Sequence, residues 1–444
     1  MKFNFNRMVY LMKKTGSLLI FLLALTVFSG CSGGGSDDKA QVTPPEDHYP
    51  DLSDLAPYLP AGPYAELLKR CVSARENEEA CTLSELPFIG QDFETPTTDD
   101  IMGRLVVSHE WMGDNFMDML GSYLHPDIKM MLKGVTAIVI DADIKPSFYN
   151  TVTGAIYINP DYLWTTDLEK ADIPDKTDYR ASYGDDLNFL KLSRYIKDND
   201  YAAPGFYSSP RTMSDLIYPL SALLYHELAH ANDFIPPSQI PLLTSTMTVL
   251  EAINSHDAEG LMISNLLQTD HPLESITLKD LAAVKYRGET ATEAQKVITA
   301  GEVGSSFETE GANDLYSYSN MYEDTAMLFE ETMLKYHYDV DRDIAFTVIP
   351  ADDRYCFFYV VKWGVRNRIA DPLVEVRARY AATLLLPGVD FDTFFSNLST
   401  STKMTADKSW CDNLDLLAMS KPSLEGSDFS VPLEQLISDA SIRH

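Results

Sequence analysis

The residues best suited to do chemistry lie between Ser221 and Asp233, which reads S-A-L-L-Y-H-E-L-A-H-A-N-D. His226 and His230 are four positions apart, so on a helix their imidazoles stand one turn apart on one face and can share a single metal ion. In this H-E-x-x-H arrangement Glu227 is a neighbour of the metal and not a ligand, placed to take a proton from water. Zinc bound there lowers the pKa of water toward ~7, so a nucleophilic hydroxide exists at neutral pH. Leu220, Leu223, Leu224 and Leu228 supply apolar surface and no glycine weakens the segment, which reads as a buried helix.

Two histidines leave zinc short of a third protein ligand. The stretch Tyr316 to Glu330, Y-S-Y-S-N-M-Y-E-D-T-A-M-L-F-E, starts in a polar turn and enters a helical pattern, with Glu323, Ala326, Met327 and Glu330 on one face. Small Ala326 permits another helix to approach closely, and Glu323 then completes a His, His, Glu set with the fourth position left for water. A third histidine six residues after His230 is excluded by Pro236. Gly311-Ala312-Asn313-Asp314 keeps a G-x-x-D ligand open as an alternative. Asp339 to Asp343 looks like half an EF-hand, but Ile344 stands where the turn needs Gly and Pro350 where a Glu would close the loop. His109-Glu110 meets Gly113 at the metal spacing and His256-Asp257 has no partner, so both read as surface.

H-E-L-A-H-A-N-D resembles the H-E-x-G-H-A-x-D start of lethal-factor-like gluzincins, and Y-S-Y-S-N-M-Y-E-D-T-A resembles their second motif, Y-[AS]-x-[ST]-N-x-x-E-D-x-A-E. Together the two stretches cover well under a fifth of the chain. The resemblance implies a zincin-like metallopeptidase fold, one Zn2+, Glu323 as the third ligand, and Tyr316 as the hydroxyl that steadies the oxyanion when water attacks a peptide carbonyl. The chain departs from the pattern at Met327, where the family carries an acid that buttresses a ligating histidine. That support then falls to Asp233, Asp324 or another group; Asp233, three residues after His230 and seven after His226, lies on the metal face and is preferred. The long interval from His230 to Glu323 requires residues 236–315 to fold away as a helical cap.

The N-terminus reads as a targeting segment. Lys2, Arg7, Lys13 and Lys14 precede an apolar run from Leu18 to Phe28 that is short for a permanent span. Phe28-Ser29-Gly30-Cys31 resembles the bacterial lipobox, although Phe28 stands where Leu, Val or Ile is more usual. On that resemblance residues 1–30 are a lipoprotein signal peptide and Cys31 is acylated as the first mature residue. Ser32, not Asp, follows it, which by the bacterial sorting tendency favours the outer membrane, facing periplasm or surface. Residues 31–60, rich in Gly, Ser, Asp and Pro, read as a flexible tether.

Cleavage there removes four of 35 basic residues and none of 66 acidic ones, taking the formal charge from −31 to −35. Such a chain is repelled by nucleic acid, and nothing in it points to nucleic-acid partners. With Cys31 spoken for, Cys71, Cys81, Cys356 and Cys411 remain. In an exported protein they point to two disulfides; three pairings are open, of which Cys71 with Cys81 and Cys356 with Cys411 is the most local.

The pattern predicts an α+β protein: a small mixed sheet, the H-E-x-x-H helix and a mostly helical C-terminal half. Helices are expected over Tyr64 to Arg70 and Asp99 to Leu124, and strands over Gly134 to Ile140 and Thr153 to Asn159. The second strand is expected at a sheet edge, where it can pair with a substrate backbone. Residues 165–212 read as irregular, and Thr212 with Asp215 reads as a capping box ahead of the metal helix, which Pro236-Pro237 ends. Thr244 to Leu267 and Leu278 to Gly301 look helical. So do Tyr355 to Trp363 and Pro372 to Leu386, with Arg366 and Arg368 as solvated helix charges. A metallopeptidase domain over 61–345 and a helical region over 346–444 follow. The expected function is zinc-dependent peptide-bond hydrolysis by a lipid-anchored, exported enzyme acting on a peptide or protein. The alternative is a non-catalytic lipoprotein that keeps the fold as a binding or assembly module.

Overall fold

Short β-branched runs and one long helix, buried over most of its length, organise the chain into a mixed α+β structure with two small sheets. The computed structural model describes residues 44–350 and 356–415. The signal segment, Cys31, the start of the tether and residues 416–444 lie outside the described residues. The first sheet is mixed: β1 (Ala56–Pro57), β2 (Leu105–Val107), β3 (Ile138–Ile140), β4 (Phe148–Asn150) and β5 (Ala155–Ile158) lie in the order β1-β2-β3-β5-β4. β2, β3 and β5 run parallel, and β1 and β4 flank them antiparallel. Alternation splits these strands between two cores. Ile138, Ile140, Ile156 and Ile158 face the helix Met213–Phe234, whereas Val139, Ala155 and Tyr157 face the helix Ala65–Val72.

Two expectations for this half are corrected. The pattern over Asp99 to Leu124 is not one helix: Thr98–Met102 and Glu110–Asp118 are helical, and the β-branched run Leu105–Val107 between them is drawn out to pair with β3. The Thr153 to Asn159 strand is not an edge. β5 is paired on both sides, and the edge position falls to β4, itself buried.

The second sheet is antiparallel throughout and threads three strands through a C-terminal half that is otherwise mostly helical, as expected. It comprises β6 (Leu190–Lys197), β7 (Asp200–Tyr201), β8 (Asp341–Thr347), β9 (Val361–Arg366) and β10 (Thr402–Lys403), in the order β10-β9-β8-β6-β7. Val361 to Trp363 is therefore strand, and Cys356–Phe358 is a single 3-10 turn. β6 escapes sequence reading because it buries charge. Lys191 and Arg194 are both interior, Lys191 paired with Asp314 and Arg194 Nε donating to Asp343 at 2.8 Å. Arg366 Nε donates to the other oxygen of Asp343 at 2.7 Å, and Arg368 donates to the carbonyls of Phe307, Glu310 and Ala312. These arginines are buried structural cations, not solvated helix charges.

The 236–315 interval is built into the molecule as well. Val249 and Ile253 join the core under the first sheet, while Leu281, Val303 and Phe307 pack with Ile344 and Phe346 of the second. Cys71 is bonded to Cys81 and Cys356 to Cys411, with Cα separations of 5.3 and 5.6 Å that suit unforced bridges. In the chain-entropy view, closing 10 and 55 residues stabilises by about 3 and about 4 kcal/mol respectively. Replacing each pair by alanines should therefore lower the denaturant-unfolding free energy more for Cys356 and Cys411 than for Cys71 and Cys81; the reverse order would contradict a chain-entropy origin.

Candidate metal centre

The helix Met213–Phe234 begins where Thr212 turns back on Asp215: its backbone N–H donates to Asp215 Oδ2 at 2.8 Å and its hydroxyl at 2.6 Å. From Pro219 to Phe234 every residue is buried, as expected of a helix that is packed on all sides. This central helix carries His226, Glu227 and His230. Its partner, Met321–Tyr338, is started by Asn320, whose Oδ1 accepts from the N–H groups of Tyr322 and Glu323, both at 2.9 Å. That cap fixes the first turn, and with it the carboxylate of Glu323.

The two helices pack so that three donors converge. His226 Nε2 and His230 Nε2 lie 3.0 and 3.4 Å from the same Glu323 oxygen, Oε2, and the two rings stand 4.9 Å apart at 82°. A tetrahedral zinc with ligands 2.0–2.1 Å away spaces its ligand atoms about 3.3 Å apart. The observed separations straddle that figure, so this donor set fits zinc. Burial alone would raise the Glu323 carboxyl, but the His230 and His226 imidazoles outweigh it and hold the group well below the ordinary range. Glu323 is thus a carboxylate, the form that ligates.

Support for the ligands differs from expectation. Glu330, seven residues after Glu323 and so on the same helical face, places Oε2 at 3.1 Å from His226 Nδ1. That contact orders the Nδ1-protonated tautomer and leaves the Nε2 lone pair turned inward. Arg342 lies within electrostatic reach of Glu330 from behind. Met327, on the same helical face, packs in the apolar cluster with Leu281, Phe307 and Ile344. Asp324 is no buttress: it turns away and grips Arg377 with both oxygens, tying the partner helix to the helix Pro372–Leu385. Asp233 is close but not bonded to a ligand. Its Oδ1 accepts from Ser264 N–H at 2.6 Å, while its Oδ2 and His230 Nδ1 both remain without hydrogen-bond partners. Burial lifts the Asp233 carboxyl to about 6, and its influence on His230 is electrostatic only.

Tyr316 lies on a 3-10 turn within electrostatic reach of Glu323; its ring centroid is 6.3 Å from that of His226 and 4.8 Å from that of Tyr286. Burial, reinforced by the Glu323 charge, pushes its phenol well above the ordinary value, so the hydroxyl keeps its proton. Glu227 is 2% exposed and acts electrostatically on both His230 and Tyr316. Beside them stands Arg180, held by Asp178 through contacts of 3.0 and 2.7 Å and within electrostatic reach of Tyr316. Asp314, the alternative ligand, is bound instead to Lys191 and Arg342 beside the second sheet. His256, expected at the surface, is buried and its ring nitrogen contacts Phe234 O at 3.2 Å, bracing the end of the central helix.

Comparison with protein-family models, with curated proteins and with solved structures finds no match for this chain. The geometry therefore stands on its own.

Sequence reasoning missed Glu330 and Asn320, although the i to i+7 spacing from Glu323 and an Asn immediately before the helix were both in view. Glu330→Gln should weaken zinc affinity about 10- to 100-fold with the fold retained. Asp324→Asn should leave zinc affinity near wild type yet cost about 3–5 kcal/mol of stability by stranding buried Arg377. Competition with a chromogenic chelator and urea unfolding separate the two; a Glu330→Gln protein with wild-type affinity would remove Glu330 from the centre.

Proposed function

We propose that this chain is a zinc-dependent peptidase of the gluzincin type with a zincin-like fold, anchored in a bacterial envelope through an acylated Cys31. The single observation that supports this most is the meeting of His226, His230 and Glu323 on one point, with Glu227 and Tyr316 beside it. A mixed sheet packed on the H-E-x-x-H helix agrees with that architecture. No helix among the described residues is long and apolar enough to cross a membrane.

His226, His230 and Glu323 would hold the ion, which when bound supplies Lewis acidity for polarising a peptide carbonyl and for making water nucleophilic near pH 7. Glu227 accepts the proton of the attacking water and delivers it to the departing amine. Tyr316, kept protonated by burial, donates its O–H to the carbonyl oxygen as negative charge builds there. Glu330 keeps the His226 ring in register through the cycle. The carboxylate-rich chain disfavours nucleic acid as substrate, and a peptide or protein suits a centre built around carbonyl polarisation.

Zinc analysis coupled to digestion of an unbiased peptide library tests the reading. Glu227→Gln should keep about one zinc at this centre and lose turnover. Tyr316→Phe should lower kcat roughly 10²- to 10³-fold with zinc retained. Glu323→Ala should lose the zinc at this centre together with activity. Equal peptide cleavage by wild type and Glu227→Gln would defeat the enzymatic reading and favour a non-catalytic binding module.

A further inference from the structure

A second convergence of two imidazoles on one carboxylate oxygen lies at the other end of the partner helix. His125 stands just before the short helix Pro126–Met131, and Asp127 is in its first turn. His337 comes from the last turn of Met321–Tyr338, 210 residues further along. His337 Nε2 lies 2.6 Å from Asp127 Oδ2, and His125 Nδ1 lies 3.3 Å from the same oxygen. The two rings stack face to face, centroids 3.4 Å apart and 21° from parallel. This repeats the signature at Glu323, where two ring nitrogens also address one oxygen.

One proton between a ring nitrogen and Asp127 serves a single contact, and protonating both stacked rings sets like charges against each other. His125 Nδ1 accepts the Asp127 backbone N–H only at a long 3.4 Å, and a divalent cation would engage both nitrogens and the oxygen together. The three ligand atoms lie within 4.8 Å of one another, and a tetrahedral site with edges of ~3.3 Å forms when the stacked rings open so that both lone pairs meet the ion. Nitrogen with carboxylate oxygen selects zinc and its borderline neighbours over calcium or magnesium. The side chains of His125, Asp127 and His337 are 37, 21 and 7% exposed, so an ion in solution can reach them and still find one anchored ligand.

We propose that His125, Asp127 and His337 form a second divalent-cation site, a clamp that joins the start of the Pro126–Met131 helix to the last turn of the helix that carries Glu323. Its setting suits a structural clamp. The His337 ring faces Tyr225, the residue before His226, and Tyr338 receives the His125 N–H at 3.2 Å and the Ser221 hydroxyl at 3.1 Å. Both ends of the partner helix, about 21 Å apart at 1.5 Å per residue, would then be held by metal.

The test is zinc titration of the chelator-stripped full chain against a competing chelator. Wild type should bind two equivalents, Glu323→Ala one, His125→Ala one and the double variant none. Zinc should also raise the Tm of Glu323→Ala, and adding His125→Ala should abolish that rise. His125→Ala leaves the His337 to Asp127 contact in place, so a mere ion pair predicts no change. Two equivalents in His125→Ala, or none in Glu323→Ala, would overturn the second site, whereas failure of the first site would show as zinc retained in the double variant.

Discussion

Everything at the centre depends on burying two imidazoles and a carboxylate in one place between two helices. Such groups are costly to desolvate singly, and each must be answered by a partner in fixed geometry. Helix periodicity answers part of this demand: four residues separate His226 from His230, and seven separate Glu323 from Glu330, so one helix offers two nitrogens and the other two carboxylates along facing stripes. The remainder is packing, because the stripes meet only if the helices are held at fixed height and rotation.

Two sheets hold them. The first presents Ile138, Ile140, Ile156 and Ile158 to the central helix. The second sheet, with the helices of the 236–315 interval, packs apolar residues on Met327 and the Tyr316 turn. Behind that second sheet runs a set of buried ion pairs, Lys191 and Arg342 on Asp314, and Arg194 and Arg366 on Asp343. Asp314 also receives the backbone N–H of Tyr316 at 2.8 Å, so the same network positions the phenol beside the metal ligands. A buried polar network of this kind specifies one arrangement more than it stabilises the fold.

The residues of the candidate centre were more legible in the sequence than the architecture. His226, Glu227, His230 and Glu323 sit in short-range patterns that a helix converts directly into geometry, and the structure brings them together. What the pattern could not convey was where long-range pairing overrides local periodicity. Leu105–Val107 leaves a helical pattern to join β3, and Lys191, Arg194 and Arg366 hide strands behind charges whose partners lie up to 149 residues away. Glu330 was visible on the correct face, but its role depended on the rotation of His226. Asp324 is open from sequence as a support for a ligating histidine, yet neighbouring residues on a helix point about 100° apart, and Arg377 lies on that other side.

The most direct test is anomalous diffraction at the zinc edge from crystals of the zinc-loaded chain. The account predicts an ion 2.0–2.2 Å from His226 Nε2, His230 Nε2 and a carboxylate oxygen of Glu323, with Glu330 on His226 Nδ1. An ion bound by the two histidines with Glu323 outside bonding range, or its place taken by a different acid, would contradict it.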